Sequence, residues 1–141
     1  MRIEKMTMND SQMRELLTNA HIIAVVGYSD KPHRTSYQIA QFLKRAGYKI
    51  YPVNPAVETI DGARSYASLA EVPEPIDIVN VFRRSEYLPG VVDDAIAVNA
   101  KAVWAQLGVY DEAAGRKAET AGLVTVMNAC IKVEYNRLLG R

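Results

Sequence analysis

Five short apolar runs, separated by helical patterns, constrain this chain more than any other feature. They are HIIAVVG, ending at Gly27, YKIYPVN at Asn54, IDIVNVF at Phe82, KAVWAQLG at Gly108 and LVTVMNA near Ala129. Each is rich in Val or Ile and nearly continuous in apolarity. A strand with one wet face alternates apolar and polar residues, whereas a strand covered on both faces does not. The runs therefore predict a parallel sheet with helices on both sides.

The segments between them carry helical spacing. Ser36 to Ala46 collects Ile39, Ala40, Phe42 and Leu43 on one side and stops at Gly47. SEYLPGVVDDAIAVNA places Leu88, Val91, Val92, Ala95 and Ile96 together, with Ser85 as an N-cap and Pro89 near the helix start. DEAAGRKAETAG opens on the cap candidate Asp111 and stops at Gly122, and CIKVEYNRLL closes the chain. Ahead of the first strand, an amphipathic helix over about residues 9–19 turns Met13, Leu16 and Leu17 inward. The order is α, then β-α-β-(short helix)-β-α-β-α-β-α. It predicts an α/β fold, a doubly wound parallel sheet of about five strands forming one domain over residues 1–141. AEVPEP reads as a turn before the third strand.

Composition narrows the classes of function. Apolar residues make up 49%, so a folded core is expected, and a net charge of +1 leaves no global basic field for nucleic acid. Cys130 is the single cysteine, which excludes an internal disulfide and a Cys-rich zinc site. His21 and His33 have no metal-ligand spacing. The start MRIEKMTMND lacks a secretory apolar region, and no run approaches the roughly 20 residues of a membrane span. A soluble, cytoplasmic protein with a small-molecule ligand, and with no metal, nucleic acid or membrane partner, is expected.

In open α/β sheets ligands bind beyond the carboxyl ends of the strands, where the strand order switches. The first such end, VVGYSDKPHRTS, has Gly27 for a tight turn or a close backbone approach. Ser29, Lys31, Arg34, Thr35 and Ser36 add donors or positive charge, and the next helix adds its free N–H groups and dipole. A phosphate or pyrophosphate suits this loop; an ordinary surface loop is the alternative. The second and third glycines of a standard NAD loop are missing. The second strand ends in Asn54 and Pro55, where a typical NAD site has an acid on the ribose; a nucleotide with a 3′-phosphate prefers no carboxylate there. Pro55 also reads simply as a rigid turn.

The third strand ends in Phe82-Arg83-Arg84, two arginines that point different ways, so that one faces the crevice or both are solvated. Gln106, Leu107 and Gly108 end the fourth, and Gly108 permits close approach to a ligand. Trp104 reads as core, Asn128 as a cap or polar contact, and Cys130 as packing or as a reactive thiol near a helix start. No catalytic set emerges: G-x-S-x-G and a P-loop are absent, and Asp93-Asp94 lie within a helix.

Four segments together resemble a known family. They are IAVVGYSDKPHRTSYQIAQFLKRAGYKIYPVNP, YASLAEVPEPIDIVNVFRRSE, AKAVWAQLGVYDEAA and AGLVTVMNACIKVEY. In order and spacing they are similar to the small stand-alone CoA-binding proteins, whose fold is like the N-terminal CoA-binding domain of the succinyl-CoA synthetase α subunit. The likeness runs from about Leu16 to Leu138. It implies a Rossmann-like domain that binds coenzyme A or an acyl-CoA. By position, Gly27, Ser29, Lys31, Arg34, Thr35 and Ser36, with Tyr28 in the same loop, surround the phosphates. Asn54 and Pro55 lie along the adenosine, Phe82 and Arg83 line the crevice, and Gln106, Leu107 and Gly108 approach the pantetheine arm or pyrophosphate. The synthetase also needs a phosphorylated histidine on a second domain, which neither His21 nor His33 replaces. Binding without a reaction is the expectation. Two alternatives stay open: an enzyme acting on a CoA thioester, with Cys130 as its thiol, and a redox sensor binding a nicotinamide dinucleotide.

Overall fold

The computed structural model describes residues 8–140. Helix α1 spans Asp10–Asn19 and begins in a reciprocal cap: Gln12 N–H donates to Asn9 Oδ1 at 2.8 Å, and Asn9 N–H to Gln12 Oε1 at 3.1 Å. There follow β1 (Ile22–Val26), α2 (Thr35–Arg45), β2 (Lys49–Val53), β3 (Thr59–Ile60), β4 (Ala63–Arg64), β5 (Ile78–Val81), α3 (Leu88–Ala97), β6 (Ala102–Ala105), α4 (Glu112–Thr120), β7 (Val124–Val126) and α5 (Ile131–Leu138).

The main sheet has the order β2-β1-β5-β6-β7, with every pair parallel. The chain leaves β1 toward β2 and then crosses back to β5, so the direction of winding reverses at the β1/β5 seam. Both sheet faces are covered, as the continuous apolar runs require. Ile23, Val25, Ile78, Ala102, Trp104 and Val126 pack in one core with Met13, Leu17, Ile39, Leu43 and Ile131 of α1, α2 and α5. Ala24, Val26, Val79, Val81, Val103 and Ala105 pack in the other with Val91, Val92, Ala95, Ala114 and Ala118 of α3 and α4. Trp104 is fully buried, and its indole N–H donates to Ala129 O at 2.9 Å.

At the amino end of the seam, one carboxylate closes the gap between the two strands. Asp77 accepts the N–H groups of His21 and Ile22 at 2.8 and 2.9 Å and pairs with Lys101 at 3.4 Å. Desolvation pushes this carboxyl upward, but the two backbone donors and Lys101 outweigh it and hold Asp77 below the usual carboxylate value.

The structure departs from expectation in two places. Between β2 and β5 the expected short helix is the 3-10 turn Leu69–Glu71, but a hairpin that was not expected, β3–β4, precedes it. Asp61 and Gly62 take φ of +51° and +81°, the Asp-Gly pairing that a tight hairpin turn favours. Ser85 does not cap α3. It sits in a 3-10 turn, Ser85–Tyr87, and its hydroxyl accepts Tyr110 N–H at 2.9 Å while donating to Gly108 O at 3.4 Å. Among the described residues no helix is long and apolar enough to cross a membrane.

Candidate functional site

At its carboxyl end the β1/β5 seam is built around Gly27. Its φ is +86°, and a Cβ there would lie 2.3 Å from Phe82 O, so only glycine lets the first loop rest against the end of β5. The loop then folds on its own hydroxyls. Ser29 N–H donates to Ser36 Oγ at 3.0 Å, and Lys31 N–H to Ser29 Oγ at 3.1 Å. Ser36 is buried and holds the loop down, whereas Lys31, Arg34 and Thr35 are exposed. Arg34 occupies the N-cap position of α2 in extended conformation and gives no side-chain cap. The positive end of the helix is therefore left without an acceptor from its own cap residue and has two cations beside it.

The neighbouring strand ends fix this loop. Asn54 donates through Nδ2 to Tyr28 O at 2.8 Å and accepts Ala56 N–H on Oδ1 at 2.9 Å, which ties β2 to the loop. The Tyr28 side chain is fully buried, with its hydroxyl accepting from Gln41 Nε2 at 3.0 Å. Gln106 is also buried; its Oε1 accepts Ile131 N–H at 3.0 Å and caps α5. Thus the side chains of Tyr28, Ser36, Asn54 and Gln106 shape the site from within. Leu107 is 70% exposed, and Gly108, at φ +86°, donates its N–H to Asn128 Oδ1 at 2.7 Å. Phe82 and Arg83 are half-buried, and the Arg83 guanidinium lies 4.4 Å from the Tyr87 ring centre. Cys130 is half-buried at the N-cap of α5, on the same edge.

A cavity of about 360 Å³ opens beside the end of β2, bordered by Asn54, Pro55, Val57, Glu58, Arg64 and Ser65 among others. Arg64 lies over the Tyr66 ring at 4.7 Å and faces Glu71 at 3.7 Å. Glu58, Arg64 and Ser65 were not among the candidates from sequence; the Asp61-Gly62 turn was the signal that a hairpin brings them there. The hairpin is braced on α2, because Asp61 Oδ2 accepts from Tyr37 OH at 2.7 Å and Gln41 Nε2 at 3.1 Å. That hydrogen bond, with burial adding to it, raises the Tyr37 hydroxyl above its ordinary range. A larger groove, about 660 Å³, lies at the opposite edge among Met8, Leu16, Lys101, Leu123 and Val124, and none of the strand-end candidates borders it.

The site thus combines an uncapped helix start, Lys31, Arg34 and Arg83 near one seam, and a side cavity holding Arg64. Such a set of donors and cations has the chemistry to receive an extended anion. Among the described residues no group of three His, Cys, Asp or Glu is placed to hold a metal. The sequence pattern of the CoA binding domain matches residues 21–136. The chain belongs to the CoA binding domain family. One relative is the uncharacterized protein YneT of Bacillus subtilis (strain 168), 43% identical over 125 residues, covering 89% of this chain and 93% of YneT. A hypothetical protein from Pyrococcus horikoshii OT3 has the same fold at a TM-score of 0.92 and 38% identity, covering 96% of this chain and 95% of that one. The chain is also similar to the alpha subunit of acetate–CoA ligase [ADP-forming] II of Pyrococcus furiosus, 36% identical over 67 residues, covering 47% of this chain and 15% of that subunit. For a CoA binding domain, the matched region contains every strand end of the crevice and all the site residues named above.

Proposed function

We propose that this chain binds coenzyme A or an acyl-CoA at the carboxyl edge of the sheet, as a carrier, sensor or accessory module without a reaction of its own. The observation that carries the reading is the start of α2: uncapped, flanked by Lys31 and Arg34, and set beside the close contact of Gly27 with β5. The pyrophosphate lies there, where backbone N–H groups and cations converge. The adenosine follows the cavity past Asn54 and Pro55, with Arg64 available to its 3′-phosphate. Asn54 supports this choice over NAD, because its carboxamide is already engaged by Tyr28 O and Ala56 N–H and is not a ribose acceptor. Binding without chemistry is proposed because the polar side chains Ser29, Ser36, Asn54, Gln106 and Asn128 are spent on holding backbone.

One observation favours the nicotinamide alternative: Glu58 borders the same cavity, within the region where a ribose would lie. A thermal-shift panel separates the two. A ligand at ~100-fold its dissociation constant adds about 2.7 kcal/mol, which is several degrees for a domain of this size. CoA and acetyl-CoA are expected to give that shift, dephospho-CoA a smaller one and NADH none. No shift with CoA, or a larger one with NADH, overturns the proposal.

A further inference from the structure

Among the described residues, three buried side-chain polar atoms lack a hydrogen-bond partner, and two of them belong to Asn80. Asn80 is completely buried on β5, in register with Val25 of β1 and Trp104 of β6. Side chains alternate along a strand, so Asn80 shares its face with Ile78 and with Phe82. Both of those pack in the core formed with α1, α2 and α5. A carboxamide here is costly. Neither its donor nor its acceptor meets a protein partner, and an apolar residue of similar size would fill the same space without that cost. The strand pairs through its backbone, and the register partners of Asn80, Val25 and Trp104, are apolar.

The position of Asn80 suggests what the group is for. Phe82 is two residues further along the same face, one strand repeat or roughly 7 Å nearer the carboxyl edge. Phe82 is half-buried, and its carbonyl is the atom against which Gly27 rests. Asn80 is thus the next side chain beneath the crevice floor at the β1/β5 seam. An occupant that satisfies it needs one acceptor and one donor close together on a thin, otherwise apolar chain. A secondary amide has that pattern, and the pantetheine arm of CoA carries two.

We infer that Asn80 is a binding residue for an amide of a pantetheine-type arm, which enters past Phe82 between the starts of α2 and α5. This rests on the CoA reading above and extends it from the phosphates to the arm. The Phe82 ring turns aside to admit the arm, and the Asn80 Nδ2 and Oδ1 atoms exchange their unpaired state for two hydrogen bonds. The nucleotide end of the ligand is held elsewhere, so the two ends are separable.

The separation provides the test. In the unmodified protein, the side-chain amide resonances of Asn80 are followed by NMR during titration with CoA and, separately, with adenosine 3′,5′-bisphosphate, which lacks the arm. CoA is expected to shift the Asn80 resonances, and the bisphosphate to shift only those of the loop after β1. CoA binding seen at the loop with Asn80 unmoved overturns this inference alone. Absence of CoA binding anywhere overturns it together with the proposed function. In parallel, Asn80→Leu, or Asn80→Val where a strand former is better tolerated, is expected to raise the ligand-free melting temperature. It is also expected to weaken CoA by about tenfold or more, the scale of one to two lost hydrogen bonds, and to leave the bisphosphate unchanged. An unchanged CoA affinity in the folded variant assigns Asn80 to a buried water and overturns the inference.

Discussion

The two ends of the β1/β5 seam meet the same electrostatic problem and resolve it differently. At the amino end, the N–H groups of His21 and Ile22 point into the gap, and the chain supplies its own anion, Asp77, to receive them. At the carboxyl end, the start of α2 also presents backbone donors and a positive dipole, but its cap residue is Arg34, and Lys31 lies nearby. Among the described residues no carboxylate accepts a hydrogen bond from its first N–H groups. Where the protein completes its own hydrogen bonds, the region is structural. Where it adds cations to unfinished donors, the proposed CoA supplies the anion. The fold alone does not decide this, because both ends belong to one pair of strands.

The sharpest way to break the carboxyl end is to fill the space at Gly27. Gly27 and Gly108 have the same φ of +86°, but a Cβ at Gly108 meets nothing within 4 Å, whereas at Gly27 it meets Phe82 O at 2.3 Å. Gly108→Ala therefore carries only the left-handed backbone penalty, about 1–2 kcal/mol. Gly27→Ala carries that penalty and also drives the loop off β5, so its loss is expected to exceed about 3 kcal/mol. Urea denaturation of the two variants measures the difference directly. Equal losses would show that the close approach of loop and strand is not a constraint.

At the amino end, Asp77→Ala leaves two strand-end N–H groups without their acceptor and is expected to cost about 1–3 kcal/mol while sparing ligand affinity. The effect has a defined pH dependence. The Asp77 carboxyl is held below its unfolded value, so its contribution is complete above that value, near 4, and is lost as pH falls through the lower folded one. The stability gap between wild type and Asp77→Ala should therefore be constant around neutrality and close in acid. A gap that does not narrow at all as pH falls into the acid range would mean that the loss comes from packing and not from the charged carboxylate.

The sheet was legible because its signal is long and redundant. Residues such as Ile23 to Val26 are apolar on both faces, which suits a strand covered by helices on both sides. The exposed members of the site were legible too, since Lys31 and Arg34 follow a strand and precede a helix. The directions of Tyr28, Asn54 and Gln106 were not. Alternation stops where a strand stops, and beyond that point the positive φ angles at Gly27, Gly108 and Asn128 decide which way each neighbour turns. Asn54 and Gln106, candidates for ligand contact, also hold backbone through their side chains, at Tyr28 O and Ala56 N–H and at Ile131 N–H. Asn80 was hidden for the opposite reason: inside IDIVNVF it counted as one polar residue in an apolar run, and only the three-dimensional packing shows that nothing pairs with it. The β3–β4 hairpin was missed although Asp61-Gly62 announces it, because its strands are two residues each and too short for any periodicity.

The smallest effect is the most discriminating, because it changes sign between stability and binding. Arg34 has the extended backbone of an N-cap, φ −80° and ψ 145°, but lacks an acceptor side chain. Arg34→Asp gives α2 the cap that Asp77 gives the other end of the seam. The new carboxylate accepts a first-turn N–H and faces the helix dipole favourably, so the ligand-free protein should gain about 0.5–2 kcal/mol. The same carboxylate occupies the donors that a phosphate would use and replaces a cation with an anion. CoA affinity should therefore fall by more than about tenfold, the loss of one charge-assisted contact. Melting curves of the variant with and without CoA read both quantities in one experiment. A higher melting temperature with an undiminished CoA shift would place the anion elsewhere on the edge, at Arg83 or Arg64. A higher melting temperature with the shift abolished would show that the two ends of the seam differ only in whether the acid is built in.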